Sequence, residues 1–210
     1  MKRRTISRRE FVYLGVGGGL VVASYPLARA FSSASSPPEG ELFQPTPPNT
    51  LGPFYLGGAP RKEKLTAAGA AGTPLLVTGR VIDTHGKVLA DAKLEVFHSD
   101  AHGEYDMNGY NCRGKISVAT NGSYRYETIV PGQYGGRAQH IHYMINAPGH
   151  KQLITQLYFE DDPKFSGNPD VNFRRDGLVQ YRELIRPVRK TRKDGRDYSA
   201  VEFNICLQTA

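Results

Sequence analysis

From residue 50 onward the chain is a series of short apolar or alternating runs, and no helical period extends beyond about three turns. Val, Ile, Tyr and Phe dominate these runs, as is typical of half-buried strands. Turn-forming residues separate the runs, and Asn121-Gly122 between two of them is a strong hairpin signal. The runs span residues 75–83, 94–98, 115–120, 123–130, 138–147, 153–160 and 201–208. The pattern predicts an all-β fold, a single antiparallel β-sandwich over residues 50–210.

Residues 163–200 carry the weakest pattern in this domain. Residues 179–184 are compatible with either a short helix or another strand. Residues 186–196 hold six cations in eleven positions, with a turn at Lys193-Asp194-Gly195. We expect an exposed hairpin there, with an anion-binding patch as the alternative.

The first 30 residues have the order of an export signal. A basic segment is followed by a Gly-rich apolar stretch from Phe11 to about Tyr25, and Ala30 ends an A-x-A-like cleavage motif. The pair Arg8-Arg9 resembles the bacterial twin-arginine signal. We therefore predict a twin-arginine signal peptide over residues 1–30, an extended Ser/Pro-rich arm over residues 31–49, and a periplasmic or extracellular protein. An uncleaved N-terminal anchor is the alternative.

The formal charge of +7 mostly belongs to that signal. Six of the 27 Lys and Arg residues and one of the 20 Asp and Glu residues lie in residues 1–30, which leaves a net charge of only +2 on the rest. This excludes an overall electrostatic footprint for nucleic acid.

No apolar run reaches membrane-spanning length, so we expect no membrane-spanning segment after signal cleavage. Cys112 and Cys206 are too few for a four-thiolate zinc site, and their pairing is left open.

His140 and His142 begin a strand-like run, and residues two apart on a strand point to the same face. Two imidazoles aimed together suit a metal ion, although two satisfied histidines or a copper or zinc site fit the same pattern. Tyr105 in Gly-Glu-Tyr and Tyr134 in Pro-Gly-Gln-Tyr add two phenols. Two Tyr and two His side chains form a hard ligand set that suits a ferric ion. Tyr110 is a competing candidate for Tyr105.

The sequence resembles the intradiol ring-cleavage dioxygenases, a non-haem Fe(III) family that includes catechol and protocatechuate dioxygenases. The resemblance rests on Thr50-Leu-Gly-Pro-Phe-Tyr55, Gly79-Arg-Val-Ile-Asp83, Leu94-Glu-Val-Phe-His98, Gly103-Glu-Tyr105, Asn111-Cys-Arg-Gly114, Tyr126-Glu-Thr-Ile-Val-Pro-Gly-Gln-Tyr134, Arg137-Ala-Gln-His-Ile-His142 and Ile154-Thr-Gln-Leu-Tyr-Phe159. Several spaced motifs in the family's order are far more specific than any one of them.

The resemblance implies a set of roles for the matching residues. Tyr105 and His140 would be equatorial ligands of Fe(III), and Tyr134 and His142 axial ligands. Tyr134 would also accept a proton. The remaining matches are Arg137, which would stabilise negative charge on the substrate, and Gln156, which would line the pocket.

The implied activity is that of an oxidoreductase, which cleaves a catechol-type ring with both atoms of O2 and gives a muconate-type diacid. A non-catalytic exported binding module and a His-x-His copper or zinc enzyme remain alternatives. The catechol derivative and the oligomeric state are not determined by the sequence.

Two departures from the family pattern lie within the predicted domain. Phe97 stands where members usually carry Trp, which we interpret as a core substitution. Only Gly135-Gly136 separates Tyr134 from Arg137, which predicts a more open pocket. We interpret the remaining histidines as loop or strand-end residues, of which His102 would come nearest the pocket; they are His85, His98, His102 and His150.

Overall fold

The computed structural model describes residues 43–193 and 195–210. The expected signal peptide and the first part of the arm lie outside the described residues. The ten strands are β1 (Pro74–Asp83), β2 (Lys93–Phe97), β3 (Arg113–Ile116), β4 (Ser123–Ile129), β5 (His140–Asn146), β6 (Leu153–Phe159), β7 (Ile185–Arg186), β8 (Val188–Lys193), β9 (Arg196–Glu202) and β10 (Ile205–Leu207). One short helix, α1 (Pro169–Asn172), follows β6. Within these ranges no helix is long and apolar enough to cross a membrane.

The strands form two sheets of five. In the β1 sheet, β1 pairs with β4, with β9 and, further along, with β10, and β8 pairs with β9. The β5 sheet has the order β3-β2-β5-β6-β7. The all-β class and the two-sheet sandwich are therefore confirmed. The sheets are mixed rather than purely antiparallel, because β9 and β10 run parallel to β1, and β7 runs parallel to β6. The strands of each parallel pair are far apart in the chain rather than joined by a hairpin, which permits either direction.

The final predicted run, residues 201–208, is divided between β9 and β10. Asn204 interrupts it, and its side-chain oxygen accepts the backbone N–H of Arg80 at 2.9 Å. Gly79 lies opposite this interruption, where an added Cβ would come within 2.1 Å of the Phe203 carbonyl oxygen. Only glycine fits there, so β1 can pass from pairing with β9 to pairing with β10.

The predicted turn at Asn121-Gly122 is present, but the strands on its two sides lie in different sheets. Across the turn only Val118 and Tyr124 form a bridge. β4 instead pairs with β1 over seven positions, a longer ladder than the four residues of β3 could offer. β8 and β9 pair antiparallel up to Lys193 and Arg196, as expected for a hairpin in this basic run.

Three 3₁₀ turns accompany α1 in the segment between β6 and β7, at Pro163–Phe165, Phe173–Arg175 and Arg182–Leu184. The ambiguous residues 179–184 therefore end in a 3₁₀ turn rather than in a regular helix or strand.

β8 lies at the edge of its sheet and exposes Arg189 and Lys190. Cations on an edge strand oppose pairing with another chain. The group of cations in residues 186–196 therefore has a structural explanation.

β5 is buried on both faces. Ile141, Tyr143 and Ile145 belong to the hydrophobic core between the sheets. His140 and His142 alternate with them and are buried on the opposite face. The core face therefore fixes the register of β5, and the register aims both imidazoles outward together.

The described part of the arm is extended and docked rather than free. Phe43 N–H donates to the Thr84 carbonyl at 2.8 Å, and Asn49 N–H donates to the Ile154 carbonyl at 2.8 Å. Between them, Thr46 exchanges two hydrogen bonds with Cys206. The arm thus crosses the domain and delivers Thr50 to the outer face of β5. Cys206 and Cys112 are both buried and are free thiols.

Candidate metal centre

Three side-chain donor atoms converge on the outer face of β5. The two Nε2 atoms of His140 and His142 lie 3.1 Å apart. The Tyr105 hydroxyl oxygen lies 3.3 Å from Nε2 of His140 and 3.1 Å from Nε2 of His142. Ligands about 2.1 Å from a metal and at right angles to one another are about 3.0 Å apart, so this triangle has the dimensions of one face of a coordination sphere.

The hydrogen bond of His140 also suits a metal. Nδ1 of His140 lies 2.6 Å from the Ala138 carbonyl oxygen. A carbonyl oxygen only accepts, so this Nδ1 carries the proton, and Nε2 of His140 presents a lone pair toward Tyr105 and His142. A cation between the three atoms would bind that lone pair.

Burial keeps both imidazoles neutral. It lowers the pKa of His140 to about 4 and that of His142 well below its usual value. Burial likewise raises the pKa of Tyr105 to about 12, although the nearby Arg137 and Arg113 cations favour the phenolate. A phenolate at neutral pH therefore requires an additional positive charge at this point.

The fourth predicted ligand, Tyr134, lies beside the cluster but not in it. Its ring packs edge-on against Tyr105, with centroids 5.7 Å apart, and edge-on against Phe54 at 4.9 Å. The side chain is 41% exposed, and its hydroxyl makes no hydrogen bond to any described residue. Tyr134 as a ligand stays a prediction. The Tyr110 hydroxyl donates to the Gly57 carbonyl instead, so the geometry favours Tyr105 over Tyr110.

Arg137 and Gln156 contact each other beside the imidazoles. Nη2 of Arg137 donates to Oε1 of Gln156 at 3.0 Å and to the Tyr158 hydroxyl at 2.7 Å. Nε2 of Gln156 donates to the Thr50 carbonyl at 2.8 Å and lies 3.1 Å from Nδ1 of His142. β5 and β6 produce this arrangement, because Gln156 pairs with His142 and Tyr158 pairs with His140.

Asp176 holds Arg137 in place and has no signal in the sequence. Its carboxylate accepts Nε of Arg137 at 2.8 and 2.9 Å and the backbone N–H of Ala138 at 2.9 Å. Burial would raise the pKa of Asp176, but these hydrogen bonds outweigh burial and lower it. Tyr158 was also missed, although it lies two residues after Gln156, the spacing that identified the histidine pair.

The rings around the cluster give Phe97 a second role. Phe97 pairs with His142 across β2 and β5, and its ring is stacked on the imidazole at 4.3 Å and 2°. Phe54, delivered by the arm, is stacked on Tyr105 at 4.3 Å and 9°. Phe97 therefore packs directly against a candidate ligand, beyond the core role expected from the sequence.

None of the other histidines joins the cluster. His98 is buried between the Ser99 carbonyl and the Thr128 hydroxyl, at 2.7 and 2.6 Å. Burial lowers the pKa of His98 to about 4, so it is a neutral structural residue. His102, expected nearest the pocket, is exposed beside Asp100.

The described residues contain no group of three or more His, Cys, Asp or Glu side chains arranged for a metal. A metal held by the histidine pair therefore needs the phenol of Tyr105 as a third ligand.

Gly135 and Gly136 are exposed, and no atom lies within 4 Å of the position a Cβ would take at either residue. Both have positive φ, 53° and 75°. The loop between Tyr134 and Arg137 is therefore exposed and unobstructed at these two glycines, and the more open pocket stays a prediction.

Comparison with known proteins gives a consistent result. A family model described as Dioxygenase matches residues 51–209. Chlorocatechol 1,2-dioxygenase of Rhodococcus opacus is 32% identical over 187 residues, which cover 75% of this chain and 70% of that protein. Catechol 1,2-dioxygenase of Acinetobacter baylyi is 31% identical over 163 residues, which cover 64% of this chain and 52% of that protein. The match thus spans about half the length of this relative.

A solved structure is similar over most of the described chain. It is the dioxygenase domain of a dioxygenase and carbohydrate-binding protein fusion from the cellulolytic bacterium Streptomyces sp. SirexAA-E. The sequence identity is 33% and the TM-score is 0.69, over 80% of this chain and 100% of that domain.

Proposed function

Because the chain belongs to the intradiol dioxygenase family, we propose that it cleaves a catechol-type aromatic ring with O2 at a non-haem Fe(III) site, giving a muconate-type diacid. The observation that carries this proposal is the triangle of donor atoms from Tyr105, His140 and His142, with edges of 3.1–3.3 Å. Two imidazole nitrogens and one phenol oxygen fit a hard ferric ion.

The side chains present divide the work of such a reaction. Bound Fe(III) would draw charge from a chelated catechol and make its ring reactive toward O2. Tyr105, His140 and His142 would hold the metal. Tyr134 is exposed and has no hydrogen-bond partner among the described residues, and it would take up a substrate proton after ligation to the metal had made it a phenolate. Arg137 would stabilise negative charge as it develops on the ring.

Arg137 is already oriented for that role. Its Nε and Nη2 atoms are occupied by Asp176, Gln156 and Tyr158. Nη1 makes no hydrogen bond within the described part of the chain, so its two N–H groups remain available to a substrate oxygen. A guanidinium held on two sides loses little entropy when it binds an anion.

The first experiment is the visible absorption spectrum of the purified protein loaded with Fe(III), recorded with and without catechols in the absence of O2. Tyrosinate bound to Fe(III) gives a charge-transfer band, and a chelating catechol shifts it. Tyr105→Phe should weaken the band and Tyr110→Phe should keep it, since the Tyr105 hydroxyl lies at the imidazoles and the Tyr110 hydroxyl does not.

Other outcomes would reject the proposal. A colourless iron-loaded protein would favour a non-catalytic binding module. Tight copper or zinc binding that survives replacement of both Tyr105 and Tyr134 by Phe would favour a His-x-His enzyme of another class.

We also propose that the protein is exported by the twin-arginine pathway, on the order of basic, apolar and cleavage segments in residues 1–30. Replacing Arg8 and Arg9 by Lys should keep the protein in the cytoplasm of a bacterial host, while Arg3→Lys and Arg4→Lys should not. Export of the Arg8/Arg9 variant at the normal level would reject this pathway.

A further inference from the structure

Arg113, the first residue of β3, is a fully buried cation that the roles assigned above do not use. Its residue exposure is 1%, and no carboxylate of the described residues lies within ion-pair distance of it. Its donors go to neutral acceptors: Nε to the Asp106 carbonyl at 2.9 Å, Nη1 to the Phe54 carbonyl at 2.6 Å, and Nη2 to Sδ of Met107 at 3.4 Å. The Asp106 carboxylate favours the charged guanidinium only from beyond ion-pair distance. Burying a charge without a close ion pair is costly, so this arrangement needs a reason beyond packing.

Two hydrogen bonds and one ring contact of Arg113 lead to the candidate metal centre. Asp106 directly follows Tyr105, so the bond to its carbonyl fixes the backbone that carries this phenol. The bond to Phe54 fixes the ring stacked on the other side of Tyr105. One guanidinium therefore holds Tyr105 from two directions.

The contact of Arg113 with the Phe97 ring leads to the histidine pair. The guanidinium carbon lies 5.2 Å from the centroid of the Phe97 ring, and that ring is stacked on His142 at 4.3 Å. A cation over an aromatic face stabilises the position of the ring. Arg113 thus connects the arm, the Tyr105 loop and the imidazole of His142.

We propose that Arg113 is a positioning residue for the metal centre, which holds Tyr105 and His142 at the separation that Fe(III) requires. This inference rests on the proposed function. The planar fork of Arg reaches two carbonyls and a ring at once, whereas the single ammonium of Lys cannot reproduce all three contacts. Loss of groups that orient metal ligands typically costs about 10- to 100-fold in metal affinity.

The test compares wild type with Arg113→Met and Arg113→Lys in the full chain. The dissociation constant for Fe(III) is measured by competition with a chelator, followed by the charge-transfer band, and folding is measured by circular dichroism and thermal unfolding. Tyr124→Phe is the matched control, because it removes a buried hydroxyl bonded to the Phe203 carbonyl in the core. We expect both Arg113 variants to bind iron about 10- to 100-fold more weakly with a displaced band, and Tyr124→Phe to bind it as wild type does.

Several results would overturn the proposal. One is iron affinity within a factor of about two of wild type, with an unchanged band, in both Arg113 variants; another is an equal loss of affinity in Tyr124→Phe. If Arg113→Met does not fold, Arg113→Lys decides, since it can still donate to the Phe54 carbonyl. Failure of both to fold would assign Arg113 to stability alone. A wild-type protein without the band rejects the proposed function itself, whereas a normal wild type with normal Arg113 variants rejects only the positioning role.

Discussion

Replacing Asp176 by Asn should destabilise the fold and reduce catalysis without removing the metal. The Asp176 carboxylate is the only acidic partner of Arg137 among the described residues, and the two side chains are 2% and 17% exposed. It also accepts the backbone N–H groups of Ala138 and Leu178. Asn has nearly the same shape, but it removes the charge and turns one acceptor into a donor that faces other donors.

The size of the effect follows from these contacts. Removing one partner of a buried ion pair costs about 3–5 kcal/mol. Solvent reaches part of Arg137, so we expect a lower value of about 2–3 kcal/mol, in line with the loss of one or two charge-assisted hydrogen bonds. For a chain of this length that corresponds to a decrease of about 5–10 °C in Tm.

The pH dependence has a definite sign. The pKa of Asp176 is lower in the folded protein than in the unfolded chain, so the folded state favours the carboxylate. This contribution to stability is fully present above the unfolded value of about 3.9 and is lost as the pH falls through the lowered folded value. The difference in stability between wild type and Asp176→Asn should therefore be constant from pH 7 to about pH 5 and should shrink below about pH 4.

Denaturant unfolding from pH 3 to pH 7 measures the stability difference, and kcat/KM with a catechol measures the effect on Arg137. We expect kcat/KM to fall about 10- to 100-fold, because a misplaced guanidinium no longer meets the developing charge. Asp170→Asn is the control, since Asp170 is 76% exposed in its pair with Arg182 and should contribute less than about 1 kcal/mol. Equal stability of Asp176→Asn and Asp170→Asn, or a difference that grows below pH 4, would refute this reasoning.

Three further predictions concern the surrounding structure. Gly103→Ala should lower the free energy of unfolding by more than about 2 kcal/mol, because φ is +87° and the new Cβ would come within 2.0 Å of the Gln133 carbonyl oxygen. Thr128→Val should cost about 1–3 kcal/mol in denaturant unfolding, because it leaves the buried Nε2 of His98 without its hydroxyl partner. The Cys112 thiol should react with a thiol reagent only after denaturation, because burial raises its pKa to about 12.

The first two of these predictions have a control in the chain. Gly149→Ala has a similar φ, +73°, with no atom near its Cβ, so it should cost clearly less than Gly103→Ala. Thr128→Ser keeps the hydroxyl and should recover most of the loss seen with Val. Rapid modification of Cys112 in the native protein would show that the loop covering it opens far more often than its burial indicates.

The candidate centre shows where sequence reasoning succeeds. The two-residue period of a strand is local, so it predicted that His140 and His142 share a face before any neighbour was known. The same period identifies Gln156 and Tyr158 on β6, where only the glutamine was recognised. The choice between Tyr105 and Tyr110 needed the family motif, because both lie in an irregular loop without a period.

The sequence by itself determined the all-β class, the face of the histidine pair and the family, since each depends on local periodicity or on ordered motifs. The tertiary structure alone decided which distant groups reach that face. Asp176 lies 39 residues from Arg137, and Phe54 lies 59 residues from Arg113. The intervening segments follow no strand period, so their approach depends on how the arm and the β6–β7 segment dock on the finished sheets. For the same reason the parallel pairing of β9 and β10 with β1 has no local signal, because strand direction is set by long connections rather than by the residues that pair.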